Sequence, residues 1–116
     1  MLVMISGPFN AESESAEREN LERINRAAAD VLGRGHVPVV GMHAARPVVE
    51  AAGAEDRYEA VMRISLALAE RCDAILFLGG SEGACREREV FERRGLPVYT
   101  DAREIPPADE ARGAQV

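Results

Sequence analysis

The chain is poor in aromatic side chains: Trp is absent, Phe and Tyr number 3 and 2 among 116 residues, and aromatics make up 4%. Its core therefore has to be packed from Val, Leu, Ile, Ala and Met, and a hydrophobic content of 47% is enough for one compact domain. Cysteine is equally scarce. Cys72 and Cys85 have neither the spacing nor the histidine neighbours of a zinc site, so no metal is expected, and without a secretory signal they read as reduced thiols in a cytoplasmic protein. Long apolar runs are missing too. Leu2 to Ile5 lacks a basic flank and is too short for a signal core or a membrane span, which leaves a buried strand. Positive charge is in deficit, 14 Lys and Arg against 20 Asp and Glu for a net −6. That balance argues against nucleic-acid and anionic-membrane partners and in favour of a small molecule.

The most informative stretch is Cys72 to Tyr99. It reads as a strand (Ala74 to Leu78), a turn carrying Gly79, Gly80, Ser81 and Gly83, a helix from about Ala84 to Arg94, and a strand opened by Gly95-Leu96-Pro97. A helix that starts at the mouth of a parallel sheet presents unpaired N–H groups there, a favourable place for an anion such as phosphate. Glu87 shares the stripe of Gly83, Val90, Phe91 and Arg94, so its carboxylate falls on or beside the inward face. The plainer reading is that Glu87 complements the helix dipole.

Taken in order, Met1 to Ser6 is apolar on both faces, as a central parallel strand is. Gly7-Pro8-Phe9-Asn10 breaks it, and Ser13 or Ser15 caps a long helix with Leu21, Ile24, Ala28, Val31 and Leu32 at helical spacing, closed by Gly33-Arg34-Gly35. His36 to Val40 is a second strand, put near a sheet edge by Pro38. Gly41 to Asp56 reads as a long connection, with Met42, His43 and Arg46 on the ligand side. Asp56 to Arg71 is a helix with Tyr58, Val61, Met62, Ser65, Leu68 and Ala69 on one stripe. Residues 101–116 carry paired prolines, many charges and little apolar content, so most of this tail is expected to be disordered, with the folded domain spanning 1–100. The order of elements predicts an α/β fold with one doubly wound, Rossmann-like parallel sheet, strand order 2-1-3-4 and helices on both faces. Its switch point lies between the first and third strands and brings Gly7-Pro8-Phe9, His43 and the Ser81 turn together.

These residues carry a resemblance. SGPF at the end of the first strand, Cys72-Asp73-Ala74 leading into a buried strand, and Ser81-x-Gly83-x-x-x-Glu87 followed by Gly95-x-Pro97-Val98 resemble the nucleoside 2-deoxyribosyltransferase superfamily, most nearly its small 2'-deoxynucleoside 5'-monophosphate N-glycosidases and a related uncharacterised bacterial and phage domain family. The likeness runs from Met1 to Tyr99. It implies an enzyme that cleaves the N-glycosidic bond of a nucleotide or nucleoside without a cofactor, with Glu87 attacking, or assisting attack at, the anomeric carbon, and with Ser81 and Gly83 binding the 5'-phosphate. The chemistry suits the residue types: oxocarbenium character on the sugar is stabilised or captured by an anion, and a helix N-terminus holds the phosphate beside it. The resemblance also implies a homodimer.

Other positions carry less. His43 coincides with a family histidine that contacts base or sugar, although a lone loop histidine is more often on the surface. Gly7, Pro8 and Phe9 border the pocket, and Phe9 either stacks on a base or joins the core. Asn10 and Arg18 are possible polar contacts, and Asp73 a turn or cap group away from the ligand. One departure stands out: where the family has an Asp on its second helix, this chain has Ser65, whose hydroxyl hydrogen-bonds but is no general acid near neutral pH. Tyr58 on the same stripe offers a donor or packs. Three readings result: an N-glycosidase or transferase, a catalytically weak nucleotide-binding or sensing protein of the same fold, and an association domain.

Overall fold

The computed structural model describes residues 1–109. Strands β1 (Leu2–Ser6), β2 (Val37–Val39), β3 (Ala74–Phe77) and β4 (Val98–Tyr99) form one parallel sheet in the order β2-β1-β3-β4. This is the doubly wound, Rossmann-like arrangement that the sequence predicts. β1 is sandwiched in register, with Met4 opposite Val39 on one side and Ile75 on the other, and Ser6 opposite Phe77. Proline lies on the edge strand β2, where a missing N–H costs least.

The period of two along β1 assigns its side chains to opposite layers. Val3 and Ile5 pack with Ala74 and Leu76 against Ile24 and Val31 of α1 (Glu14–Gly33). Met4 points the other way and, with Ile75, meets Ala69 of α3 (Arg57–Ala69) and Val90 and Phe91 of α4 (Glu82–Arg94). Helices thus cover both faces. Phe91 is completely buried, and truncating such a side chain to Ala costs about 3–5 kcal/mol. Extending the alternation from Met4 by two residues aims Ser6 at the layer of α3 and α4 as well, a consequence that matters at the site.

α1 begins at Ser13, whose hydroxyl accepts from the Ala16 N–H at 3.1 Å. It ends at Arg34, after which Gly35 takes φ +86°, a left-handed conformation that glycine adopts without penalty. α4 is bounded in the same manner by Ser81 and by Gly95 at φ +69°. Asp73 accepts from the Leu2 N–H at 2.7 Å and so ties β3 to β1 at the end of the sheet remote from the glycine turns.

Two expectations are corrected. The stretch from Gly41 is not a long connection but a helix, α2 (Gly41–Ala52), closed by Gly53 in the left-handed region. Gly41 and Pro47 are helix breakers by propensity, yet Gly41, Ala45 and Val49 recur at helical spacing and are buried, and that burial outweighs the lost donor of Pro47. The second correction concerns the tail. After a 3-10 turn (Ala102–Glu104), Ile105 is fully buried beside Ile24 and Val31, and the Ala108 N–H donates to the Arg34 carbonyl at 2.8 Å. Buried His36 fastens the same segment: its Nε2–H donates to the Pro106 carbonyl at 2.6 Å while Nδ1 accepts from the Met1 amine at 3.0 Å. Residues 101–108 are therefore part of the domain, and the expectation of disorder for 110–116 lies outside the described residues. Among the described residues no helix is long and apolar enough to cross a membrane.

Candidate active site

A cavity of about 580 Å³ opens over the carboxyl end of β1, a volume in the usual range for small-molecule pockets. Its walls come from the loop after β1, Glu17 and Ile24 of α1, α2 from Gly41 to Val49, one face of α3 and the first turns of α4. Glu87 lies in this wall, on the turn of α4 preceding the buried Val90 and Phe91. Its carboxylate is held from two elements. The Ser6 hydroxyl donates to Oε1 at 2.6 Å, and the Ser65 hydroxyl donates to Oε2. Both serines are nearly inaccessible, at 2% and 1% exposure, so neither hydroxyl has bulk water as an alternative partner.

Each member of this trio follows from helix or strand periodicity. Ser6 is two residues beyond Met4 on the same side of β1. Ser65 is four before Ala69 and three after Met62 on the buried stripe of α3, and Glu87 is four before Phe91 on that of α4. Gly41 completes the fit. A Cβ there would stand 2.1 Å from the Ser65 hydroxyl oxygen and 3.3 Å from Glu87 Oε2, so the start of α2 rests directly on the pair.

Burial raises the Glu87 pKa above its ordinary 4.5, and the hydrogen bonds from Ser6 and Ser65 act in the opposite direction by favouring the anion. The net shift is upward. Such a carboxylate is desolvated, fixed by two donors and open to the cavity, which suits it to meet developing positive charge or to form a bond. Burial likewise pushes the Cys72 thiol up to about 11, with Asp73 adding to the shift, so this cysteine is an unreactive core residue.

At the α4 start, the Ser81 hydroxyl accepts from the Ala84 N–H at 3.2 Å, and Gly83 faces Met62 and Tyr58. The Tyr58 hydroxyl is buried without a hydrogen-bond partner among the described residues. On the side formed by α2, the Arg46 guanidinium lies 4.5 Å from the Phe9 ring centroid, and from α1 Asn20 Nδ2 donates to the Phe9 carbonyl at 2.9 Å.

Of the positions singled out from sequence, Gly7, Phe9, Tyr58, Ser65, Ser81, Gly83 and Glu87 line the cavity. Two do not. Pro8 packs beside Gly79, and His43, exposed in the first turn of α2, has its Nε2 2.6 Å from Asn25 Oδ1. Asn10, Met42 and Arg46 are at the cavity, whereas Arg18 is exposed away from it. Sequence reasoning missed Ser6 as a partner of Glu87 and Gly41 as the seat of Ser65. The alternation along β1 is the available signal for Ser6; for Gly41, in a segment whose glycine and proline argue for a loop, the sequence carries none. No cluster of metal-ligating side chains occurs among the described residues.

A family model described as a domain of unknown function, DUF4406, matches residues 1–100. Comparison with curated proteins finds no match.

Proposed function

We propose, for a chain that belongs to the DUF4406 family, that it cleaves the N-glycosidic bond of a (deoxy)nucleoside 5'-monophosphate, with Glu87 as the reacting carboxylate. The observation that carries this reading is the Ser6–Glu87–Ser65 trio in the wall of a nucleotide-sized cavity at the sheet's switch point. As the bond from C1′ to the base nitrogen breaks, its electron pair departs with the base, which takes a proton from solvent. A Glu87 oxygen meets the cationic C1′, as a neutralising charge or as a covalent ester, and water or a second base then receives the sugar. The trio supports such a step because the carboxylate is oriented beforehand and shielded from water.

The helix start at Ser81 and Gly83 supports a 5'-phosphate subsite through its backbone N–H groups, Glu82 in that first turn weighing against it. A second reading, nucleotide binding with little turnover, is favoured by Ser65: its hydroxyl is committed to Glu87 and supplies no acid for the departing base. Incubation with a panel of deoxynucleoside monophosphates, following free base by chromatography, separates the two. Release by the wild type that falls at least about a hundredfold in Glu87→Ala supports cleavage. Nucleotide binding without release supports the second reading, and absence of both overturns the two together.

A further inference from the structure

Among the described residues two arginines line the cavity, and their circumstances differ. Arg57 forms an ion pair with Glu50 at 3.2 Å, whereas Arg46 has no carboxylate within 4.0 Å among the described residues. Arg46 instead lies over the ring of Phe9, and the two side chains reach the cavity from separate elements, the loop after β1 and the middle of α2. The aliphatic surface next to them comes from Val40, Met42 and Val49. This part of the cavity therefore combines an arginine seated on an aromatic ring, apolar walls and a planar fork of hydrogen-bond donors in no ion pair among the described residues; Glu17 of α1 also lines the cavity but lies beyond 4.0 Å of that guanidinium. This part is also distinct from the start of α4: α2 packs on α3 and β1, while Ser81 and Gly83 belong to the far wall, with Glu87 between.

We propose that Phe9 and Arg46 form the base subsite, and that Arg46 selects bases whose edge presents adjacent acceptors, guanine and hypoxanthine above adenine. The inference rests on the reading of Glu87 as the carboxylate under the sugar. An arginine has donors only, so it can satisfy the O6 and N7 of an oxopurine together but meets the N6 amino group of adenine donor to donor. Phe9, whose ring lies under the guanidinium, holds that fork in place, and Arg46 decides between the purines. If Arg46 were instead a phosphate ligand, its removal would weaken all nucleotides equally.

The test is binding, measured by calorimetry on the wild-type chain, Arg46→Met and Arg46→Lys, with dGMP, dAMP and deoxyribose 5-phosphate, checking by circular dichroism that the variants fold. The wild type is expected to favour dGMP over dAMP by at least about tenfold, a preference that disappears in Arg46→Met and is not restored in Arg46→Lys, which lacks the fork. Deoxyribose 5-phosphate affinity should stay within about twofold throughout. An equal loss for all three ligands, or a dGMP preference that survives Arg46→Met, overturns the base subsite while leaving the Glu87 reading intact. Failure of the wild type to bind any nucleotide overturns both, and base release lost in Glu87→Ala with no role for Arg46 separates the two ideas in the other direction. Phe9→Leu serves as the second variant: with the ring that seats Arg46 removed, it should lower the dGMP preference and spare the sugar phosphate, and an unchanged preference would contradict the role given to Phe9.

Discussion

Glu87 makes a demand on stability as well as on chemistry. Its carboxyl has a higher pKa folded than unfolded, so the native state holds the proton more tightly and the ionised form is the costly one. The cost is absent below the ordinary value of 4.5 and grows as pH rises from there to the elevated folded value, above which it is constant. Each unit of difference corresponds to about 1.4 kcal/mol. Glu87→Gln, which cannot ionise, should lose less stability than the wild type between pH 4.5 and pH 8 in urea unfolding, and a parallel pH profile for the two proteins would contradict the burial of this charge. Under the proposed cleavage, in which the anion is the reacting form, base release by the wild type should rise with pH through the same elevated pKa.

α2 sets the geometry around that carboxylate by the way it begins. Placing Ala within a helix normally gains about 0.5–1 kcal/mol over Gly. At position 41 the added methyl would meet the Ser65 hydroxyl oxygen at 2.1 Å and the Ser65 Cβ at 3.0 Å, and overpacking of this kind costs about 1–3 kcal/mol. The second effect is larger, so Gly41→Ala should melt lower than the wild type, and because the Ser65 hydroxyl has to turn from the new methyl, Glu87 loses one of its two donors and the proposed base release should slow. A variant of unchanged melting point and activity would show that the contact yields freely. The same element explains what the sequence conceals. α1, α3 and α4 were legible because capping residues and apolar stripes agree; in α2 a glycine start and an internal proline contradict the spacing of Ala45 and Val49, and only packing on α3 resolves the conflict. Likewise Glu87 stood out within its own helix, but Ser6 is 81 positions away in the chain, and nothing local announces that their side chains meet.

For the molecule as a unit, strand order was readable from the alternation of strand and helix, and the boundary was not. The family match stops at residue 100, yet the next eight residues close the layer over α1 with a buried isoleucine and three hydrogen-bonded ties, to Arg34 twice and to His36 once. One apolar side chain among charges and prolines is too weak a pattern to mark a packed segment. Its contribution should nonetheless be that of a core residue: Ile105→Ala is expected to cost about 2–5 kcal/mol in denaturant unfolding, and a loss below about 0.5 kcal/mol would mean that the segment merely lies on the surface.

Two hydroxyls gripping one carboxylate also make a hinge pin, since Ser6 belongs to the sheet, Ser65 to α3 and Glu87 to α4. In the proposed cleavage, a sugar that draws the carboxyl oxygens toward itself would unpin three elements at once. Catalysis and mechanical cohesion would then compete for the same pair of atoms, and a trapped sugar ester on Glu87 would leave the domain measurably softer.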